Sequence, residues 1–302
     1  MKSARAHLTT GVLAATLTPL GADGVPDAAM LADHCRGLLA QGCTSIVLLG
    51  TTGEANSFTV AERRSTLESL LDAGFASDDL IVGTGCCAAG DTVALTRHAL
   101  SVGVARVLVL PPFYYKKVTD EGVFASYARV LESIADDRLR VYLYLIPQFS
   151  GVQIGAELIA RLLDAFPEQI AGLKDSSGDW AGTEKLCCQL GSRLDVLVGS
   201  ESFLLRALEA GASGCVSATA NVNAADIARL YARRTDRSAS LEQRVNATRA
   251  AFERYPMVAA LKAFMAARTG NALWNNVRPP LEPLKPEEGR ELMAAVAQLA
   301  RA

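Results

Sequence analysis

Short apolar runs of strand length alternate with longer segments of helical periodicity along most of the chain. Apolar runs bounded by turn residues are typical of buried parallel strands, and their alternation with helices is typical of repeated βα units. The pattern predicts eight strands: Val12–Thr16, Ser45–Leu49, Leu80–Gly83, Arg106–Leu110, Arg140–Leu145, Ile170–Lys174, Asp195–Val198 and Gly214–Ser217.

The segments between these runs carry the marks of helices. Leu158, Leu162 and Phe166 lie four residues apart and define one apolar helical face. Thr59 followed by Glu62 has the spacing of a capping box, in which hydroxyl and carboxylate satisfy free backbone N–H groups. A helix is therefore expected to begin directly after Thr59.

Eight βα units within about 235 residues fit a closed (β/α)8 barrel better than an open doubly wound sheet, which more often has five or six strands. No glycine-rich dinucleotide-binding fingerprint follows the first predicted strand, which further weakens the open-sheet alternative. The expected fold class is α/β, a (β/α)8 TIM barrel with a C-terminal helical extension.

Strand signals end near Arg234, and three helical segments follow: 239–254, one opening at Pro256 and one opening at Pro286. Proline suits a first helical turn, where its missing N–H has no helical partner. We predict a barrel catalytic domain over residues 1–234 and a helical extension over 235–302. The extension is expected to pack on the barrel or on a neighbouring subunit.

Composition narrows the class of partner. The net charge of −2 in 302 residues supplies no positive field for nucleic acid or anionic lipid, and no apolar run is long enough to span a membrane. Seven cysteines, with two pairs adjacent in sequence, favour reduced thiols and a cytoplasmic location. The three histidines and the absence of a Cys-x-x-Cys pattern predict no metal site.

Active sites of TIM barrels lie at the carboxyl ends of the strands, where this sequence places several polar residues. The second predicted strand ends in a turn from Gly50 through Thr51 and Thr52 to Gly53 and Glu54. Such a turn presents backbone N–H groups and hydroxyls to a small anion such as a carboxylate, although it is also compatible with a purely structural turn.

Lys174 ends the sixth predicted strand. Alternation along that strand aims its amine into the barrel, where burial favours the neutral form that attacks ketones, as in Schiff-base catalysis. A solvated surface lysine, or one neutralised by Asp175, is the alternative.

Tyr142 and Tyr144 share one strand face, and a phenol there is either a proton donor or a core residue.

Five motifs together resemble the dihydrodipicolinate synthase/N-acetylneuraminate lyase family of class I pyruvate-dependent aldolases. They are Gly50-Thr51-Thr52-Gly53-Glu54, Pro112-Phe113-Tyr114-Tyr115, Tyr144 with Pro147, Gly172-Leu173-Lys174, and the Val216–Val222 stretch that contains Ser217. They occur in the family order, each at the end of a predicted strand. The resemblance spans the barrel and reaches the loop at Arg278.

The resemblance implies a role for each of these residues. Lys174 would form an imine with pyruvate or another 2-oxo acid, Tyr144 would act as general acid and base, and no metal or organic cofactor is needed. Thr51 would link Tyr144 to Tyr114 of a neighbouring subunit, which implies a homodimer or homotetramer. The substrate-binding set would be Gly50, Thr52, Gly53, Phe149 and Ser217.

One departure bears on the substrate. Phe149 stands where dihydrodipicolinate synthases carry an arginine for the carboxylate of the aldehyde, and an apolar ring cannot form that bidentate pair. The expected activity is cleavage or formation of a 4-hydroxy-2-oxo acid, of the 2-keto-3-deoxy sugar acid or hydroxy-oxoglutarate type. The alternatives are a Schiff-base dehydratase, a dihydrodipicolinate synthase and a non-catalytic 2-oxo acid-binding barrel.

Overall fold

The computed structural model describes residues 8–234 and 239–299. Eight parallel strands form a closed barrel in chain order, which confirms the predicted TIM barrel. Every predicted strand is present, with its ends within one residue of the expected position. The strands are β1 (Gly11–Ala15), β2 (Ser45–Leu48), β3 (Leu80–Gly83), β4 (Arg106–Val109), β5 (Arg140–Leu145), β6 (Ile170–Asp175), β7 (Asp195–Val198) and β8 (Gly214–Ser217).

Helices follow the strands and make up the C-terminal region. They are α1 (Ala28–Ala40), α2 (Val60–Asp72), α3 (Ala89–Ser101), α4 (Asp120–Ile134), α5 (Pro147–Ser150), α6 (Ala156–Ala165), α7 (Trp180–Leu190), α8 (Leu204–Glu209), α9 (Ala220–Ala232), α10 (Ala239–Glu253), α11 (Met257–Thr269) and α12 (Pro286–Leu299). The capping box of Thr59 and Glu62 opens α2, as the sequence predicts. Of the C-terminal helices, α10 begins at the predicted residue 239, α11 begins directly after Pro256, and α12 begins at Pro286.

The predicted division at residues 234 and 235 borders a segment, 235–238, that lies outside the described residues, and it stays a prediction. By compactness the chain divides differently, into one unit of Met1–Gly11 with Phe75–Val216 and a second of Val12–Gly74 with Ser217–Ala302. No described helix is long and apolar enough to cross a membrane.

The first unit contains β5 and β6, whose register sets the geometry of the site. Tyr142 lies opposite Gly172, and Tyr144 lies opposite Lys174. Because inward-facing residues recur every second position, the two pairs form successive layers along the same strands. The Tyr144 and Lys174 layer is nearer the carboxyl ends.

Hydrogen bonds fix the layer that contains Tyr142 and Gly172. The hydroxyl of Tyr142 donates to Oδ2 of Asp195 at 3.0 Å and lies 2.6 Å from Oγ1 of Thr9. The same carboxylate accepts the backbone N–H of Thr9 at 2.9 Å, and Arg106 donates to the Thr9 hydroxyl at 3.0 Å. Tyr142 is therefore a core residue held by buried polar partners, and burial raises the pKa of its phenol.

The second unit contains β1, β2 and the C-terminal helices. Asn221, just inside α9, donates to the carbonyl of Ala15 at 2.8 Å and accepts the backbone N–H of Leu17 at 3.0 Å, which ties α9 to the end of β1. Leu17 also belongs to an apolar core with Phe252, Leu261, Trp274 and Leu292. The C-terminal helices thus pack against the chain that follows the first barrel strand.

Candidate active site

Lys174 and Tyr144, the two residues at the centre of the predicted site, lie side by side. Both side chains are buried, with exposed fractions of 4% and 3%, and Nζ of Lys174 lies 4.2 Å from the centroid of the Tyr144 ring. Adjacent strands in register bring the two together. Lys174 is therefore not a solvated surface charge, and its amine shares a protected position with a phenol.

Asp175 points elsewhere. Its Oδ1 accepts the backbone N–H of Ser177 at 2.9 Å, and its Oδ2 accepts the hydroxyl of Thr183 at 2.6 Å. Successive residues of a strand face opposite sides, so the side chain of Asp175 leaves the inward face that carries Lys174. Asp175 anchors the loop after β6 to α7 and does not neutralise Lys174.

The turn after β2 is closed by its own backbone. The N–H of Glu54 donates to the carbonyl of Thr51 at 3.1 Å, and the N–H of Ala55 donates to the carbonyl of Gly50 at 3.2 Å. The carbonyl of Gly53 accepts the hydroxyl of Thr18 at 2.9 Å. A Cβ at Gly53 would lie 3.0 Å from the carbonyl oxygen of Thr16, so the close approach favours glycine.

Within this turn Thr52 is buried and Thr51 is half-buried. A tight turn with two glycines and two hydroxyl side chains has the donors that a small carboxylate requires. The geometry is therefore compatible with the predicted binding role.

Tyr114 and Phe149 lie on the surface of the first unit. Their exposed fractions are 74% and 68%, and the ring of Tyr114 packs edge-on against Tyr115 with centroids 5.3 Å apart. Lys116 donates to the carbonyl of Ser150 at 2.8 Å and also to that of Phe113. This lysine ties the loop that carries Tyr114 to α5, which carries Phe149, and sequence reasoning assigned it no role.

Ser217, at the end of β8, is fully buried. Its hydroxyl accepts the backbone N–H of Ala220 at 3.1 Å and lies 3.1 Å from the hydroxyl of Thr219. These bonds shape the start of α9. The predicted substrate-binding role of this residue stays a prediction.

A family model described as the dihydrodipicolinate synthetase family matches residues 8–299. The chain belongs to this family. The resemblance found in the motifs is thereby confirmed.

Individual members agree with this assignment. A protein from Chloroflexus aurantiacus, described as an uncharacterized DapA-like lyase, is 36% identical to this chain over 293 residues, with 96% of each chain covered. Dihydrodipicolinate synthase from Agrobacterium tumefaciens str. C58 superposes with a TM-score of 0.90 at 33% identity, covering 96% of this chain and 99% of that one. The present protein is an enzyme, a DapA-like lyase, as predicted.

A more distant neighbour shares the fold. It is a prophage protein of E. coli K12 that belongs to the dihydrodipicolinic acid synthase family, and its structure was solved in complex with pyruvate. It superposes with a TM-score of 0.88 at 24% identity, covering 98% of this chain and 100% of that one.

In the present chain, sequence reasoning missed the buried pair formed by Glu54 and Lys262. Glu54 belongs to a motif that was recognised, yet it received no function. Lys262 is fully buried on α11 and donates to the carboxylate of Glu54. The available signal was a single charge inside the apolar segment 257–266, because a lysine in such a position requires a buried partner.

Proposed function

We propose that this lyase is a Schiff-base aldolase that cleaves or forms a 4-hydroxy-2-oxo acid from pyruvate and an aldehyde. The observation that carries the proposal is the buried amine of Lys174, 4.2 Å from the ring of Tyr144. An amine that must attack a ketone needs a pocket that excludes bulk water and a neighbouring group that transfers protons.

The reaction begins when the neutral amine of Lys174 adds to the keto carbon of the substrate. Tyr144 donates a proton to the departing hydroxyl of the carbinolamine, water leaves, and a protonated imine remains. The imine accepts the electron pair of the C3–C4 bond as the phenolate of Tyr144 takes the proton of the 4-hydroxyl and the aldehyde departs. The phenol of Tyr144 then protonates the enamine at C3, and water hydrolyses the imine to release pyruvate and the free amine of Lys174.

The other site residues receive their roles from the family resemblance. Thr52 and the backbone around Thr51, within the turn from Gly50 to Gly53, bind the carboxylate of the 2-oxo acid. Thr51 passes the proton between Tyr144 and the Tyr114 of a neighbouring subunit. The exposure of Tyr114 supports this last role, because a tyrosine at 74% exposure is free to enter another subunit. We therefore propose a homodimer as the smallest active unit, assembled into a homotetramer, in the cytoplasm and without a cofactor.

Phe149 supports a substrate whose aldehyde half carries no carboxylate at that position. Its ring cannot form a bidentate ion pair, which disfavours dihydrodipicolinate synthesis. Uncharged, hydroxylated aldehydes fit an exposed aromatic side chain better. We propose a 2-keto-3-deoxy sugar acid as the substrate class, ahead of hydroxy-oxoglutarate, because cleavage of hydroxy-oxoglutarate releases glyoxylate, an aldehyde that carries a carboxylate.

Borohydride reduction tests the proposal. The protein is reduced with and without pyruvate, weighed intact, and digested to locate the modified residue. A pyruvate-dependent mass gain on Lys174 is expected. Lys174→Ala should abolish the gain, whereas Lys185→Ala, which removes an exposed lysine of α7, should retain it.

Two results would change the proposal. No mass gain with pyruvate or with longer 2-oxo acids would contradict imine chemistry and favour a non-catalytic binding barrel. Imine formation followed by loss of water alone, with no aldehyde among the products, would identify a dehydratase instead of an aldolase.

A further inference from the structure

Glu54 ends the turn after β2, yet no step of the proposed reaction uses it. Its carboxylate is buried, and its backbone has a left-handed φ of 57°. Oε1 accepts a hydrogen bond from Nζ of Lys262, and Oε2 accepts the backbone N–H of Arg278 at 2.8 Å. Lys262 also donates to the carbonyl of Asn276 at 2.7 Å. The end of the turn is therefore tied to α11 and to the loop that follows it.

The charge of Glu54 needs this partner. A carboxylate in the same turn as a carboxylate-binding site repels the substrate unless a cation neutralises it. Lys262 supplies that cation, and both side chains of the pair have an exposed fraction of 0%. Removal of either partner leaves an uncompensated buried charge or a missing hydrogen bond beside the turn.

The position of the turn also depends on Glu54. The hydroxyl of Thr18 donates a hydrogen bond to the carbonyl of Gly53, and the N–H of Glu54 donates one to the carbonyl of Thr51. The side chain of Glu54 provides a further anchor, toward α11 and the loop that follows it. A shift of Glu54 would therefore move the preceding residues of the turn, among them Thr52, which binds the carboxylate in the proposed function.

Building on the proposed function, we infer that Glu54 and Lys262 are positioning residues for the carboxylate of the 2-oxo acid. Through this pair, helix α11 of the C-terminal region sets the affinity of the turn for its anion. In the proposed function, Lys174 and Tyr144 perform the chemistry, and the pair of Glu54 and Lys262 acts on the position of the turn.

The test measures pyruvate affinity by borohydride trapping. Wild type, Glu54→Gln and Lys262→Met are reduced at increasing pyruvate concentration, and the fraction labelled at Lys174 gives the half-saturating concentration. We expect this concentration to rise about tenfold in Glu54→Gln and further in Lys262→Met, which leaves an unpaired carboxylate. Labelling at saturating pyruvate should still reach completion on Lys174 in both variants.

Two further variants separate positioning from general loss of stability. Leu292→Ala removes a fully buried side chain of α12 from the apolar core that α12 shares with α11. This variant should keep the half-saturating pyruvate concentration of the wild type. The double variant Glu54→Gln/Lys262→Met contains no unpaired charge and remains usable if Lys262→Met fails to fold. Its half-saturation should stay above wild type, because the tether to α11 is weakened.

The outcomes are distinguishable. Wild-type half-saturation in Glu54→Gln and in the double variant would overturn the positioning role, and so would an equal rise in Leu292→Ala. Absence of labelling in the wild type itself would instead contradict the proposed function. If the wild type is labelled and only the variants of Glu54 and Lys262 bind pyruvate more weakly, the result supports both the proposed function and the positioning role.

Discussion

The ring of Tyr142 occupies the space that a Cβ at Gly172 would need. Such a Cβ would lie 2.4 Å from Cδ1 of Tyr142 and 2.7 Å from the carbonyl oxygen of Asp195. Gly172 therefore lets the tyrosine lie across β6, directly below the layer that contains Tyr144 and Lys174. The glycine that precedes the lysine by two positions is a packing requirement of this layer.

Gly172→Ala should destabilise the protein. Neither the backbone of Asp195 nor the hydrogen-bonded ring of Tyr142 has a simple way to move, so the added methyl should cost at least about 1–3 kcal/mol of unfolding free energy. Urea unfolding followed by circular dichroism measures this loss. Gly90→Ala in α3, where an added Cβ meets nothing within 4 Å, is the matched control and should be neutral or slightly stabilising.

Tyr144→Phe should slow turnover while leaving the fold intact. The ring beside the Lys174 amine is retained, but the hydroxyl that transfers protons is lost, so kcat should fall about 10²- to 10⁴-fold. Single-turnover assays with a 4-hydroxy-2-oxo acid measure the effect. A Tyr144→Phe enzyme with unchanged kcat would assign the proton transfer to another group.

Tyr142→Phe is the matched control for that experiment, because the two tyrosines share one strand face. It removes a hydroxyl that bonds to Asp195 and Thr9. We expect a loss of about 1–3 kcal/mol in stability. Turnover of the folded fraction should stay close to that of the wild type.

His34 should make stability depend on pH. Burial lowers its pKa from 6.5 to about 4, opposed by its hydrogen bond to Asn221. The unfolded chain therefore binds a proton at higher pH than the folded one, and stability should fall as pH drops from about 6.5 to about 4. The loss should approach about 3 kcal/mol and level off below that window.

Urea titrations at pH values from 8 to 4 test this dependence. His34→Gln retains a donor toward Oδ1 of Asn221 and cannot titrate, so its acid-induced loss should be smaller than that of the wild type. Parallel curves for the two proteins would show that other groups cause the pH dependence.

Phe149→Arg should change the choice of aldehyde. A guanidinium at this exposed position can pair with a carboxylate, and charged hydrogen bonds contribute about 1.5–3 kcal/mol, or roughly tenfold or more in kcat/KM. Condensation with pyruvate would be compared for glyoxylate and glycolaldehyde, which differ in that charge. The variant should shift toward glyoxylate, whereas an unchanged ratio would place the distal group elsewhere.

Subunit complementation tests the proposed contribution of Tyr114. If this tyrosine serves the neighbouring active site, a mixed dimer of Lys174→Ala and Tyr114→Phe chains contains one site with both wild-type residues. Mixing the two impaired proteins under conditions of subunit exchange should restore activity. Mixtures that remain at the average of the parents would contradict a role for Tyr114 across an interface.

The strands could be predicted because their signals are local. Each is a short apolar run bounded by turn residues, and the capping box at Thr59 marks a helix start in the same way. The hydrogen bond from the backbone N–H of Ala220 to the hydroxyl of Ser217 is local in the same sense, since three positions separate the two residues. The substrate-binding role of Ser217 stays a prediction.

Long-range partners could not be predicted from local patterns. Glu54 and Lys262 are separated by 208 positions, and Tyr142 and Asp195 by 53. Only the folded chain shows that these side chains meet. The direction of Asp175 away from Lys174 follows from strand alternation, but it required knowing that β6 continues one residue beyond the lysine.

The bond between Lys262 and Glu54 affects the order in which the protein matures during synthesis. A ribosome releases the turn after β2 long before it translates Lys262 and Arg278, which secure that turn. Every barrel strand is already made when translation reaches α11. A nascent chain that stops before this helix has Lys174 and Tyr144 but lacks the bonds that secure the turn, so under the proposed function full affinity for the 2-oxo acid arises only after Lys262 and Arg278 have been translated.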